Sequence, residues 1–180
     1  MNNDRYVARL PALQSWIDAT LAASVELRRP VWSFGFQRLP LYFSEAILTA
    51  AGVVLVDLVP APPLSALGLA EFKSFEMQHM AGITFRDTYF LQTSHARTES
   101  LHFHELVHIV QWKVLGPESF LLLYAEGLAK RGYAGSPLEE MAYRHQERFD
   151  RGQPAYAAEA EVREETLALA KFGVDSGRTG

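Results

Sequence analysis

Two imidazoles and a carboxylate share one short segment of the chain, His104-Glu105-Leu106-Val107-His108. Because residues four apart lie one turn apart on the same face of a helix, His104 and His108 can direct their rings at one point. Two neutral imidazoles are good ligands for Zn2+. Glu105 stands about 100° around the helix from His104, where its carboxylate can accept a proton from a metal-bound water. The pattern predicts a zinc site with His104 and His108 as ligands and Glu105 as the catalytic general base. Gln111, three residues after His108, can hydrogen-bond a ligand or the substrate.

A third ligand must come from elsewhere, since a catalytic zinc ion usually has three protein ligands and an open fourth position. The chain contains no cysteine, so this ligand must be His, Asp or Glu. Glu126 precedes Lys130 by four residues, which also fits a surface ion pair. Glu139 follows Ser136 by three residues, which also fits a capping box at the start of a helix. From the residues alone both glutamates stay open, with Glu140 as a third candidate.

The composition excludes several other functions. The absence of cysteine rules out disulfides and a cysteine nucleophile. The formal net charge is −4 and the densest basic spot is Arg28-Arg29, so we expect no nucleic-acid partner. Residues 1–9 lack an apolar signal core, and no stretch approaches the roughly 18 apolar residues of a membrane span. We therefore expect a cytoplasmic protein without a membrane partner, and predict no particular oligomeric state.

The helix that carries the motif is predicted over residues 98–115, from the N-cap candidate Thr98 to a stop at Gly116-Pro117. Further helices are predicted at 118–131, 136–150 and 155–171. In the first half, the patterns predict helices at 11–26 and from Pro40 to before Gly52, and strands at 29–36, 53–58 and 82–92. Residues 82–92 alternate between two faces over their whole length, which is typical of a single strand.

This order of elements predicts an α+β fold, because helices and strands mix first and helices alone follow. No long linker divides the chain, so we predict a single domain over residues 1–180. Its mixed part would span 1–97, its helical part with the metal site 98–172, and a flexible tail 173–180.

Residues 82–149 resemble a compact bacterial gluzincin-type zinc metallopeptidase domain. The resemblance is carried by the strand Gly82-Ile83-Thr84-Phe85, the motif segment 104–111, Gly132-Tyr133, Pro137-Leu138-Glu139 and Ala142-Tyr143. HExxH is its specific part. The resemblance implies a zincin-like fold, in which a small mixed or antiparallel sheet packs on the HExxH helix and a helical C-terminal half follows.

The resemblance also implies roles for single residues. A Glu-x-x-Ala segment supplies the third ligand in several such families, which favours Glu139. Glu126, in a segment similar to that of aminopeptidase-like gluzincins, comes second. In these families the strand before the HExxH helix binds the substrate as an added strand, which implies this role for the strand ending near Leu91. The chain departs from these families four residues after Glu139, where Tyr143 stands instead of a carboxylate that would orient a ligand histidine. Tyr143 or Tyr133 can instead donate a hydrogen bond to a developing oxyanion.

The motif and the resemblance together imply a zinc-dependent hydrolase. It would be a metallopeptidase that cleaves a peptide or protein substrate with a zinc-bound water activated by Glu105. The first alternative is a non-catalytic, metal-binding zincin-fold module with a regulatory or binding role. The second is a purely structural helical domain without metal.

Overall fold

The computed structural model describes the backbone of residues 4–176 and the side chains of residues 4–171. Within this part of the chain four strands form one mixed sheet in the order β1-β2-β4-β3, in which β2 and β4 are parallel and the other two pairs are antiparallel. The strands are β1 Arg29–Pro30, β2 Gly52–Val56, β3 Gly82–Phe85 and β4 Thr88–Gln92. The helices are α1 Asp4–Val7, α2 Leu10–Ala23, α3 Glu45–Ala50, α4 Lys73–Glu76, α5 Glu99–Arg131, α6 Pro137–Asp150 and α7 Ala158–Ser176. The predicted α+β class is confirmed.

Helix α5 is the centre of the fold. Every residue from His102 to Trp112 is buried, so this stretch has no solvent-facing side. One hydrophobic cluster packs it against α3, α6 and α7, and a second packs it against α2 and the segment between β2 and β3. A helix buried on all sides holds its side chains in fixed positions, and each of its polar groups needs a partner inside the protein.

A kink divides α5 where the sequence predicts a stop. Gly116 has a φ of 72° and a ψ of 169°, which is outside the helical region and is strained for a residue with a side chain. Pro117 follows and begins the second half with its fixed φ. The segments 99–115 and 117–131 are therefore two helices that adjoin at the kink, close to the predicted 98–115 and 118–131.

The prediction of one strand over 82–92 is wrong. The segment forms a hairpin of β3 and β4, in which Arg86 and Asp87 make the turn and Arg86 has a φ of 57°. The alternation of faces continues through this two-residue turn, which is why the pattern does not mark it. Strand β4 lies inside the sheet between β2 and β3, so the predicted addition of a substrate strand next to Leu91 is excluded. The free edge of the sheet on this side is β3.

Most of the segment 29–36, which the sequence predicts as a strand, has another structure. Only Arg29–Pro30 pairs with β2, and residues Val31–Phe34 form a 3-10 turn that ends at Gly35 with a φ of 65°. Pro30 has no N–H to continue a ladder, and the positive φ of Gly35 turns the chain. Helix α3 is shorter than predicted and begins at Glu45, after the N-cap Ser44, whose hydroxyl accepts a hydrogen bond from the Ile47 N–H.

The C-terminal helix is longer than predicted. Helix α7 runs to Ser176, so residues 173–176 of the predicted tail are helical, and residues 177–180 lie outside the described part of the chain. Within the described residues, no helix combines the length and the apolar character that crossing a membrane requires.

Candidate metal centre

The two histidines of the motif meet as their spacing predicts. Their Nε2 atoms lie 3.1 Å apart, and both rings are buried. His104 Nδ1 lies 3.0 Å from Gln146 Oε1, and His108 Nδ1 lies 2.8 Å from Gln111 Oε1. An amide oxygen only accepts, so each ring donates from Nδ1 and presents the lone pair of Nε2 to the other ring. Two lone pairs at this distance repel each other unless a proton or a metal ion lies between them.

Glu139 lies at the same point. Its Oε2 is 3.4 Å from His104 Nε2, and its Oε1 is 3.4 Å from His108 Nε2. In a tetrahedral zinc site with bonds of about 2.0–2.1 Å, neighbouring ligand atoms lie about 3.3–3.4 Å apart. The separations of the two Nε2 atoms from each other, 3.1 Å, and from the carboxylate oxygens, 3.4 Å, are therefore close to those between ligand atoms around one zinc ion.

One oxygen of Glu139 has no hydrogen-bond partner among the described residues. This atom is Oε2, and the side chain is only 2 % exposed. A buried carboxylate oxygen without a donor is costly. A cation among Glu139, His104 and His108 would remove this cost, so the residues fit a divalent metal ion by geometry and by chemistry.

The other two candidate ligands lie at the surface. Glu126 pairs with Lys130 at 3.3 Å, which is the ion pair that their spacing suggests. Glu140 is exposed and lies 3.7 Å from Arg131. The capping box at Ser136 is not formed, since that residue makes no side-chain cap hydrogen bond. Of the three glutamates, the structure brings Glu139 alone to the histidines.

Three uncharged side chains orient the ligands. Gln111 donates from Nε2 to the Leu138 carbonyl at 3.0 Å, which fixes its Oε1 toward His108. Gln146 on α6 accepts the Nδ1 proton of His104 with its own Oε1. Tyr124, beyond the kink of α5, donates its hydroxyl proton to Glu139 Oε1 at 2.7 Å. Such contacts fix the tautomer and the direction of a ligand.

Glu105 lies against strand β3. Its Oε2 accepts a hydrogen bond of 2.6 Å from the Thr84 hydroxyl, and a Cβ atom on Gly82 would stand only 2.5 Å from its Oε1. Burial raises the pKa of Glu105, although the two imidazoles oppose this rise. A carboxyl with a raised pKa is a better proton acceptor than an ordinary surface glutamate. The absence of a side chain at Gly82 is what allows this close approach.

The electrostatics of the metal-free centre favour one proton on the histidines. Burial alone lowers the pKa of His108, but the negative charges of Glu139 and Glu105 raise it to about 9. Burial likewise opposes the charge on Glu139, yet the two imidazoles hold the pKa of its carboxyl well below its usual range. Without a metal, a protonated His108 thus faces an ionised Glu139.

Two tyrosines complete the surroundings. The ring of Tyr143 lies 4.7 Å from that of His104 and is partly exposed. Burial raises the pKa of Tyr133 far above its ordinary value and also raises that of Tyr143. Both hydroxyls therefore keep their protons at neutral pH and can donate a hydrogen bond.

A second group of ligand-type side chains, His145, Glu161 and Glu165, lies between α6 and α7. Both carboxylates are already paired, Glu161 with Arg148 at 2.7 Å and Glu165 with Arg144. A divalent cation would have to displace or face two guanidinium groups. These residues do not fit a metal ion, in contrast to the first group.

The sequence does not reveal Thr84, Tyr124 and Gln146 as parts of the site. They lie on three different elements, and their contacts arise only when β3, the second half of α5 and α6 pack around the first half of α5. Only Gln111 could be found in advance, because it shares the helix and the face of His108.

Neither family models, nor curated proteins, nor solved structures give any match to this chain.

Proposed function

We propose that this chain is a zinc-dependent hydrolase, a metallopeptidase with a zincin-like fold. The observation that carries the proposal is the buried Glu139 carboxylate, whose Oε2 has no hydrogen-bond partner and whose Oε2 and Oε1 lie 3.4 Å from the Nε2 atoms of His104 and His108. His104, His108 and Glu139 would hold the ion, and Glu105 stands beside it without being needed as a ligand. A site with three protein ligands keeps a fourth position for water, which is typical of catalytic zinc.

A bound zinc ion would supply a water of lowered pKa and polarise the carbonyl of the scissile bond. Glu105 then accepts the proton of the attacking water, and its raised pKa suits this task. The Thr84 hydroxyl holds Glu105 in place during this transfer. Glu105 next delivers the proton to the leaving amine. Tyr143 or Tyr133 donates a hydrogen bond to the oxygen on which negative charge develops.

Strand β3 supports a peptide as the substrate. In an antiparallel pair the backbone groups of alternate residues point away from the partner strand. Ala81 and Gln92 are bonded to each other across the hairpin, so Gly82 and Thr84 are the residues of β3 that face the free edge. The Thr84 carbonyl is taken by the Trp112 indole N–H at 3.2 Å. The backbone N–H and C=O of Gly82 and the N–H of Thr84 remain to pair with an extended peptide beside Glu105.

The proposal is tested by metal content and cleavage in one set of proteins. The wild-type chain should hold about one zinc per chain and cleave an unstructured protein such as casein. Glu105→Gln should keep the zinc and lose cleavage, because only the proton acceptor is removed. Glu126→Gln, a matched change at a surface glutamate, should keep both.

The alternative of a non-catalytic, metal-binding module gives a different result in the same set. It predicts zinc in the wild-type chain without cleavage of any peptide. A purified chain that binds no metal would contradict both functions. The alternative of a purely structural domain without metal would then remain.

A further inference from the structure

An apolar pocket with a cavity volume of about 90 Å³ opens beside the candidate metal centre. Its charged and imidazole groups lie at one end, where His104, Glu105, His108 and Glu139 form part of its lining. The remaining walls come from α2, from the segment between β2 and β3, from β3 and from both halves of α5. Among the described residues that line these walls, none is Lys, Arg or Asp.

The walls begin one ring away from the metal ligands. Tyr124, which donates to Glu139, lies 5.7 Å from the ring of Phe120 and 6.0 Å from that of Phe75. Trp112 stacks on Phe120 at 4.0 Å. A substrate side chain that enters the pocket would therefore lie next to a scissile bond bound at the candidate metal centre.

The residues that line the pocket differ in their exposure to solvent. Leu13, Leu121 and Ala125 are half-buried, whereas Ile17 and Phe120 are almost fully buried. The pocket therefore reaches from the surface into the second hydrophobic cluster. A charged substrate group against these apolar walls would lose its water and find no opposite charge there, which is unfavourable. An uncharged apolar group would instead be stabilised by its removal from water.

We propose that the substrates are peptides with a large uncharged apolar side chain, of the size of Leu or Phe, next to the scissile bond. This inference rests on the proposed function. A peptide is favoured over a free acyl chain because all four residues of β3, from Gly82 to Phe85, line the pocket. A strand paired with β3 directs alternate side chains to one face, and one of them enters the pocket.

The test uses short peptide hydroxamates, whose hydroxamate group binds zinc, and the zinc-loaded wild-type chain. The compounds differ only in the side chain next to the hydroxamate, and binding is measured by calorimetry. The Phe and Leu compounds should bind about 10- to 100-fold more tightly than the Ala compound, and the Asp and Lys compounds most weakly. Equal binding of all side chains would overturn the inference.

Acetohydroxamate, which has no side chain, separates the two proposals. If it binds and the side chains make no difference, the pocket inference fails while the metal centre stands. If neither acetohydroxamate nor any peptide hydroxamate binds, the proposed function fails and the inference falls with it. Octanohydroxamate as tight as the Phe compound would overturn the choice of a peptide.

A variant that fills the pocket sharpens the result. Ala125→Phe places a ring at the lining, so the preference for Phe over Ala should fall at least about tenfold. Ala129→Phe is the matched control, since Ala129 is exposed one turn further along the same helix and does not line the pocket. An unchanged preference in Ala125→Phe would contradict the inference. The wild-type hydroxamate series decides the matter if that variant does not fold.

Discussion

Two groups of histidine and glutamate side chains lie on helix α6 and its neighbours, and they differ in what neutralises them. In the metal cluster, defined as His104, His108 and Glu139, the orienting partners Gln146, Gln111 and Tyr124 are all uncharged. In the arginine-paired cluster, defined as His145, Glu161 and Glu165, Arg148 and Arg144 supply the positive charges.

The difference distinguishes the group that fits a metal ion from the group that does not. Residue types alone make both clusters possible metal sites. The metal cluster keeps a buried carboxylate oxygen without a partner, whereas the carboxylates of the arginine-paired cluster are satisfied by guanidinium groups and are partly exposed. A buried charge must be paired or coordinate a metal, so the metal cluster, whose orienting partners are all uncharged, fits a cation better than the arginine-paired cluster does.

Removal of a ligand should have the largest effect. His104→Ala, His108→Ala and Glu139→Gln should each reduce bound zinc from about one equivalent to none after dialysis, because two remaining ligands do not hold the ion. Elemental analysis measures this content. Glu165→Gln in the arginine-paired cluster should leave it unchanged, and loss of zinc there instead would reverse the comparison.

A methyl group at Gly82 should come next. Because its Cβ would stand 2.5 Å from Glu105 Oε1, Gly82→Ala must displace the proposed base. A misplacement of about 1 Å can cost roughly 100-fold in rate. Steady-state cleavage should fall by about this factor with the zinc content retained. Ala129→Ser, a small addition at an exposed position that does not line the pocket, should leave cleavage unchanged; an equal loss there would refute the explanation.

Loss of an orienting amide should weaken zinc binding without abolishing it. Gln146→Leu removes the acceptor of the His104 Nδ1 proton, and such changes cost about 10- to 100-fold in metal affinity. Competition with a coloured chelator gives the affinity. The exposed Gln153→Leu serves as the control, and an unaltered affinity in Gln146→Leu would show that His104 needs no such support.

His108 and His145 should contribute to the stability of the metal-free chain with opposite dependences on pH. The pKa of His108 is raised to about 9 without metal, so zinc must displace a proton below that pH. Zinc affinity should therefore rise by about tenfold per pH unit until pH 9. In the metal-free chain, the stabilisation from protonated His108 is fully present below its ordinary pKa of 6.5 and is lost as pH rises through 9.

Burial lowers the pKa of His145, so that residue stabilises the fold in its neutral form and loses this contribution as pH falls. Calorimetric zinc titrations at several pH values, in buffers of different ionisation heat, measure the released proton. Zinc affinity independent of pH between 6 and 9 would contradict the assigned charge state of His108.

The smallest effect is expected in the arginine-paired cluster. Glu161→Gln removes the partner of Arg148, but both side chains are about a third or more exposed. Partly exposed ion pairs contribute about 0–1 kcal/mol to the free energy of unfolding. Urea unfolding of the metal-free variant should stay within this range, and a much larger loss would mean that this cluster organises α6 and α7.

The parts of the site that sequence could predict depend on local periodicity. His104, His108 and Gln111 follow from the helical repeat alone, and the break at Gly116-Pro117 follows from backbone preferences. The turn of the β3–β4 hairpin could not be predicted, because Arg86 adopts a positive φ without a glycine to mark it. The unmarked turn also hides the fact that β4 lies inside the sheet and that β3 forms its edge.

The choice among the glutamates needed the packing of distant elements. Glu126 and Glu139 both lie at helical positions with a plausible surface role, and their local patterns do not distinguish them. Helix α6 brings Glu139 beneath α5, where Tyr124 also reaches it. Gln146 is 42 residues from its partner His104, and no local pattern connects the two.

X-ray absorption at the zinc edge of the zinc-loaded wild-type chain identifies the atoms that bind the ion. We expect a four-coordinate ion with two imidazole nitrogens at about 2.0–2.1 Å and oxygen ligands at about 2.0–2.2 Å, and one fewer imidazole in His104→Ala. A six-coordinate ion without imidazole, or a spectrum unchanged in His104→Ala, would contradict this expectation.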